Sequence, residues 1–153
     1  KDALTMEEFI NKIHVTVDNL QLTKDKGLSE GVSNIFIENM KKLSLYERPL
    51  HCTDTKRETL YIKCNTFNNN SLWELDNKNK KLKHAFKQVS IAQQKNMNKW
   101  IKNNPEWEND PNLQEEYMKL VKNCTDDINI GKRSDKIIKK ICSNVYINDI
   151  SND

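Results

Sequence analysis

Glycine is nearly missing from this 153-residue chain: only Gly27, Gly31 and Gly131 are present. No glycine-rich loop that cradles the phosphates of a nucleotide can be built from them, which excludes nucleotide-driven enzymes of the familiar loop-and-helix type. Proline, alanine and arginine are as scarce, at three each, beside 22 lysines, 21 asparagines and 14 isoleucines. Mutation pressure in an AT-rich genome explains that skew before function does. The four cysteines, at 52, 64, 124 and 142, include no Cys-x-x-Cys pair, which argues against a zinc ribbon or a thioredoxin-like site. Neither a secretory hydrophobic segment nor an apolar run of membrane-spanning length occurs, so the expectation is a soluble intracellular protein with no membrane partner. The chain opens on Lys1 rather than Met, which suggests a fragment or a processed product.

What the chain does have is regular apolar spacing beneath a highly charged exterior. Apolar residues make up 36% and charged residues 31%, a balance suited to a folded helical protein with a solvated surface. The length fits one domain, residues 1–150, with a helical unit over 1–45, a β-region over 46–76, a second helical part over 77–149 and a disordered tail at 150–153. The net charge of +3 conceals an asymmetry. Residues 51–102 carry eleven basic against four acidic side chains, whereas the segments on either side are weakly acidic. A basic block of this kind serves either as an electrostatic footprint for nucleic acid or as a plain solvated face.

Thr5 and Glu8 form a capping-box signature ahead of Phe9, Ile10 and Ile13, and Thr16 can cap a brief helical turn through Leu20, closed by a loop at Lys24–Gly27. Ser29 caps a helix to about Leu43, with Val32, Ile35, Phe36, Met40 and Leu43 in phase. Pro49 then holds Arg48 extended, and three strands fit 49–53, 58–64 and 71–75. In the second, Leu60, Ile62 and Cys64 share one face and Thr59, Tyr61 and Lys63 the other. One long helix is expected over 77–103, with Leu82, Ala85, Phe86, Val89, Ala92, Met97 and Trp100 inward and a lysine face opposite. Asp110-Pro111 restarts a helix, and a last one begins near Ser134; these two are expected to cover the long helix. The fold class is therefore α+β and mostly helical. The order of three helices followed by a β-wing is that of a winged helix-turn-helix, whose third helix lies in the major groove.

Several chemistries can be weighed on these residues. His51, Cys52 and Cys64 could supply a zinc set, but reduced, buried thiols are the stronger reading. Cys52 as a nucleophile beside His51 is opposed by strand geometry, which sends neighbours to opposite faces. Asp54, Glu58 and Lys56 offer a weak match to a metal-dependent nuclease, with no second set of carboxylates to join them. The sequons at Asn69 and Asn123 carry no weight in a cytosolic protein.

The run Tyr46-Glu47-Arg48-Pro49-Leu50-His51-Cys52-Thr53-Asp54-Thr55-Lys56-Arg57-Glu58-Thr59-Leu60-Tyr61-Ile62-Lys63, with Gly31-Val32-Ser33-Asn34-Ile35-Phe36 ahead of it, resembles the C-terminal domain of uncharacterised proteins of nucleocytoplasmic giant DNA viruses, of mimivirus or phycodnavirus type. The resemblance spans most of residues 1–125. In that family the domain often follows a zinc-finger or coiled-coil region. Members commonly show Ile-Lys-Asp and then Trp, whereas Cys64 stands here for the Asp, and Thr66 to Asn70 lengthen the connection. The resemblance implies viral origin, a place in the host cytoplasm, nucleus or virion, and a DNA-associated role by analogy with zinc-finger-bearing relatives.

The expectation is a non-enzymatic DNA-binding module with no cofactor. Lys56, Arg57, Tyr61 and Lys63 on the hairpin and Lys80, Lys83 and Lys87 on the long helix would meet phosphates and bases. Asn34 or Asn39 would read base edges if helix 29–43 is the recognition helix. The competing expectation is a protein-interaction or assembly module, with a protein partner or a second copy of the chain, anchored by Tyr46, Tyr61, Trp73 or Trp107.

Overall fold

The computed structural model describes residues 3–65 and 70–145, so the expected tail at 150–153, the sequon at Asn69 and most of the connection from 65 to 70 lie outside the described residues. The chain is α+β and mostly helical, with a three-stranded antiparallel sheet.

Two reciprocal caps set the first helices. The Thr5 hydroxyl accepts from Glu8 N–H while Glu8 accepts from Thr5 N–H, starting α1 at Met6–Asn11. Thr16 and Asn19 repeat the arrangement for α2, Val17–Lys26. This helix runs a turn and a half beyond the expected stop near Leu20, because Leu20, Thr23 and Lys24 are all buried against neighbouring helices. The presumed loop at 24–27 is its last turn. Gly27, at φ 98°, both ends α2 and precedes α3, Leu28–Lys41, so this helix begins ahead of the expected cap at Ser29. A side chain at that φ would be strained, which is why glycine stands there.

Helix α3 is the centre of the molecule. Val32, Ile35 and Phe36 are fully buried, and the helix packs on α2 and on two later helices, α4 (Lys80–Lys95) and α7 (Arg133–Val145). The Phe36 ring is held edge-on between Phe9, at 5.2 Å, and Phe86, at 5.9 Å. Complete burial of one such side chain is worth roughly 1.5–3 kcal/mol, so this three-ring contact ties α1, α3 and α4 together.

The sheet is β1 (Leu50–Asp54), β2 (Thr59–Asn65) and β3 (Ser71–Leu75), in that order, close to the ranges expected from alternation. Leu50, Cys52, Leu60, Ile62 and Cys64 face inward and are buried. Helix α1 covers β2 and α7 covers β1 on that side.

The expected long helix is two. Asp76 is buried, and its carboxylate accepts from the Lys81 and Leu82 N–H groups at 2.9 Å each, so α4 starts at Lys80 rather than 77. It stops at Lys95, where Asn96 turns its amide back to the Ala92 carbonyl at 2.7 Å and its own N–H to Gln93; a short α5, Asn98–Asn103, follows. Such local side-chain bonding competes with helix continuation. Helix α6, Pro111–Cys124, is capped by Asp110 as its sequence predicts. The last two helices do not mainly cover the long one. Helix α6 packs chiefly on α2, and α7 lies across α3 and β1.

Candidate nucleic-acid interface

Strand alternation divides the hairpin residues between two environments. Outward-facing positions on β1, β2 and β3 are His51, Tyr61, Lys63, Trp73 and Leu75, since His51 pairs with Tyr61, Tyr61 with Leu75 and Lys63 with Trp73. Helices α1 and α7, which pack on the sheet, and α4, which reaches it through Lys81 and Glu74, lie on its other side. Trp73 and Tyr61 are each 40% exposed, and no residue of β3 is buried.

Trp73 does not stand up into solvent. It lies back across β2 and stacks on His51, with ring centroids 4.7 Å apart and planes 23° from parallel. Beneath it the His51 Nδ1 atom is buried without a hydrogen-bond partner. Burial, and then the positive charge of Arg48, holds the imidazole pKa below its ordinary value, so a neutral ring is stacked on the indole.

The turn between β1 and β2 is built by Asp54. One carboxylate oxygen accepts from Lys56 N–H at 3.0 Å and Arg57 N–H at 3.1 Å, while the other lies 3.7 Å from the Arg57 guanidinium. Glu58, at φ 53°, completes the turn, and a bulge between Cys52 and Asp54 offsets the register. The Arg57 side chain is 85% exposed and Lys56 is exposed beside it, so the tip presents two cations on a fixed backbone. Lys63 is less free: its ammonium donates to the Ala3 carbonyl at 2.8 Å.

The expected lysines of α4 belong elsewhere. Lys81 pairs with Glu74, which sits opposite Ile62 on the helix side of the sheet. Lys80 and Lys81, with His84, line a groove of about 550 Å³ between α1, the end of β2 and α4, floored by Met6, Ile10 and Ala85. Lys83 leans toward Asp135 at 3.9 Å, and Lys87 is exposed on the outward ridge of α4. The structure thus brings Lys56, Arg57, Tyr61 and Lys63 onto the hairpin and separates them from Lys80, Lys83 and Lys87.

Asn34 and Asn39 are structural. The Asn34 side-chain oxygen accepts from Asn19 at 2.8 Å, joining α2 to α3. Asn39 is 6% exposed and bridges both backbone groups of His14 while donating to the Ile35 carbonyl. Asn39 is buried and cannot reach base edges; Asn34 is half-buried, its side-chain oxygen is taken by Asn19, and the strip of α3 left open beside it carries Glu30 and Glu38, whose charge opposes a phosphate-facing recognition helix.

The catalytic and metal alternatives do not assemble. His51 is on the outer face, while Cys52 and Cys64 are buried on the inner one. All four cysteines are free and buried, and burial pushes their thiols up, Cys124 to about 12. Asp54 is engaged with its own turn. Among the described residues no three His, Cys, Asp or Glu side chains stand close enough to hold a metal ion, and no helix is long and apolar enough to cross a membrane. Trp100 is core, and Trp107 packs half-buried on Tyr117, whereas Tyr46 is exposed. The stack of His51 on Trp73 was not foreseen. Its sequence signal is the aromatic at the outward position of an edge strand diagonal to a histidine. Comparison with protein-family models, with curated proteins and with solved structures finds no match to this chain.

Proposed function

We propose that this domain is a non-enzymatic nucleic-acid-binding module whose contact surface is the open face of the sheet and the tip of the first hairpin, and whose preferred partner is single-stranded DNA. The observation that carries the reading is an outer face on which, among the described residues, no helix packs, with Trp73 and Tyr61 accessible on adjacent strands and Lys56 and Arg57 at its end. Aromatic rings on a sheet stack exposed bases, and neighbouring cations neutralise the phosphates that connect them. Helix α3 packs on α2, α4 and α7, and the strip it leaves open carries Glu30 and Glu38, which favours a sheet-face mode over the winged-helix one. In a protein of the giant-virus type that the hairpin resembles, such a module would hold strands exposed during replication or packaging.

The test is binding of labelled single-stranded DNA across a salt series, comparing the wild type with Lys56→Glu/Arg57→Glu. Loss of two phosphate contacts lowers the slope of log affinity against log salt by roughly 1.4, at about 0.7 per contact on a single strand. An unchanged slope removes the hairpin tip from the interface.

A further inference from the structure

The two edges of the sheet are treated differently. β1 is preceded by Pro49, carries a bulge between Cys52 and Asp54, and is covered by α7. Proline and bulges are the devices that keep a sheet edge from pairing with another chain. β3, the opposite edge, has neither a proline nor a register shift, and its sequence is Ser-Leu-Trp-Glu-Leu.

The hydrogen-bond phase shows what that edge offers. Asp76 N–H donates to the Leu60 carbonyl, which makes Leu60 and Asp76 a hydrogen-bonded pair. Alternation along an antiparallel ladder then directs the backbone groups of Leu72 and Glu74 toward β2, and those of Ser71, Trp73 and Leu75 away from it. The side chains that could shield these groups are drawn off. Trp73 is folded inward onto His51, and Glu74, the only charge on the strand, is held by Lys81. Leu72 and Leu75 remain 60% and 54% exposed, one on each face of the edge.

We infer that β3 is a homodimerisation strand, pairing antiparallel with β3 of a second copy about a two-fold axis through Trp73, to form a continuous six-stranded sheet. The phase makes Trp73 opposite its copy a hydrogen-bonded pair, as are Ser71 and Leu75 across the axis, giving about six inter-chain backbone bonds. Charge favours a second copy over a charged peptide. Each Glu74 arrives already neutralised by its own Lys81, so two β3 strands meet without like-charge repulsion. Leu72 falls beside the Glu74–Lys81 pair of the other copy and diagonal to the other Leu72, where apolar surface and aliphatic stems bury one another. The outer faces of both sheets join in one surface, and this pairing stands whether or not that surface binds nucleic acid.

The test is sedimentation equilibrium of the wild type and of Leu72→Lys/Leu75→Lys from about 1 to about 500 µM, with hydrogen exchange at the Trp73 amide followed over the same range. The wild type should move from the 18.0 kDa chain toward twice that mass, and the Trp73 amide should gain protection as it does so. The double variant should stay monomeric at every concentration. Its exchange at Ile62 reports whether the sheet is intact, and if it is not, the wild-type Trp73 amide decides alone. A wild type monomeric throughout, or a dimer with an unprotected Trp73 amide, overturns the inference, as does a folded double variant that still dimerises.

Discussion

The Trp73 ring rests on His51 at 4.7 Å, two strands away, and so lies over the middle strand on a sheet face that, among the described residues, no helix packs on. The contact joins β1 to β3 across β2 and hides the imidazole Nδ1 atom from water. An imidazole held neutral there makes stability depend on pH. With the native pKa lowered below the ordinary 6.5, first by burial and then by Arg48, the unfolded chain takes up a proton before the native one does. The contribution is therefore fully present above the unfolded pKa and is lost as pH falls from 6.5 toward the native value. Urea unfolding should show a higher midpoint at about pH 7.5 than at about pH 5.5, and His51→Phe should shrink the difference. The lowered carboxylates of Glu8 and Asp25, with ordinary values of 4.5 and 3.8, act only at more acidic pH. Equal midpoint differences in the two proteins would remove His51 from this role.

Gly31 stands where α3 approaches α2 closely. A Cβ placed there would collide with Thr23 Oγ1 and stand 2.7 Å from Thr23 Cβ and 3.1 Å from its Cα. Removing the hydroxyl alone therefore gives no room. Gly31→Ala gains about 1 kcal/mol of helix propensity, but overpacking of this kind costs about 3 kcal/mol, so the net is a loss of roughly 2 kcal/mol. Denaturant unfolding in a double-mutant cycle should show that loss in the wild-type background, a smaller cost of Gly31→Ala when Thr23 is already Ala, and the smallest when it is Gly, apart from what each Thr23 variant loses with its own hydrogen bond to Gln93.

Lys24 is buried to 3% exposure in α2, with its ammonium 3.0 Å from Glu116 on α6 and 3.2 Å from Asp25. Desolvation opposes its charge, yet the hydrogen bonds to the two carboxylates outweigh it and raise the pKa. Removing a partner leaves a buried charge poorly compensated, whereas an apolar replacement of similar shape removes the problem. Glu116→Ala should lower stability by roughly 2 kcal/mol, and Lys24→Met should be close to neutral. A larger loss for Lys24→Met than for Glu116→Ala would reverse this account of the α2–α6 contact.

Asp54 has opposed effects on the hairpin tip. Its carboxylate fixes the turn through Lys56 and Arg57 N–H, and its charge partly offsets the Arg57 cation. Asp54→Asn keeps an acceptor and discards the charge, so binding of single-stranded DNA should tighten by a few-fold, as expected for about 0.5–1 kcal/mol. Asp54→Ala discards both, and the gain in net charge is offset by a loosened tip. Titrations of both variants at one salt concentration should rank Asn above wild type and Ala below Asn.

The parts legible in the sequence were those decided locally. Thr5 with Glu8, Asp110 with Pro111, and the alternation from Thr59 to Cys64 each name their element because the stabilising contact is a few residues away. What sequence could not place depends on distant partners. Helix α2 continues past Leu20 because Thr23 and Lys24 find partners on α4 and α6, 70 and 92 residues away. The break at Asn96 turns on one amide choosing a carbonyl over water. The basic hairpin was correctly located, but helical phase alone could not reveal that α4 presents its lysines on the other side of the sheet, nor that α3 is enclosed on several sides. Asn34 and Asn39 looked available only because the residues that occupy them, Asn19 and His14, come from a different turn of the chain.

The most direct test of the sheet-face account is fluorescence anisotropy with a labelled single-stranded oligonucleotide and with its duplex, for the wild type and for Tyr61→Ala/Trp73→Ala. Stacking of a base on an aromatic side chain is worth about 1–3 kcal/mol, so the double variant should lose at least about 10-fold in affinity for the single strand. The wild type should prefer the single strand over the duplex at each salt concentration. Equal affinity for the two forms, or a folded double variant that binds the single strand as tightly as the wild type, would contradict the account.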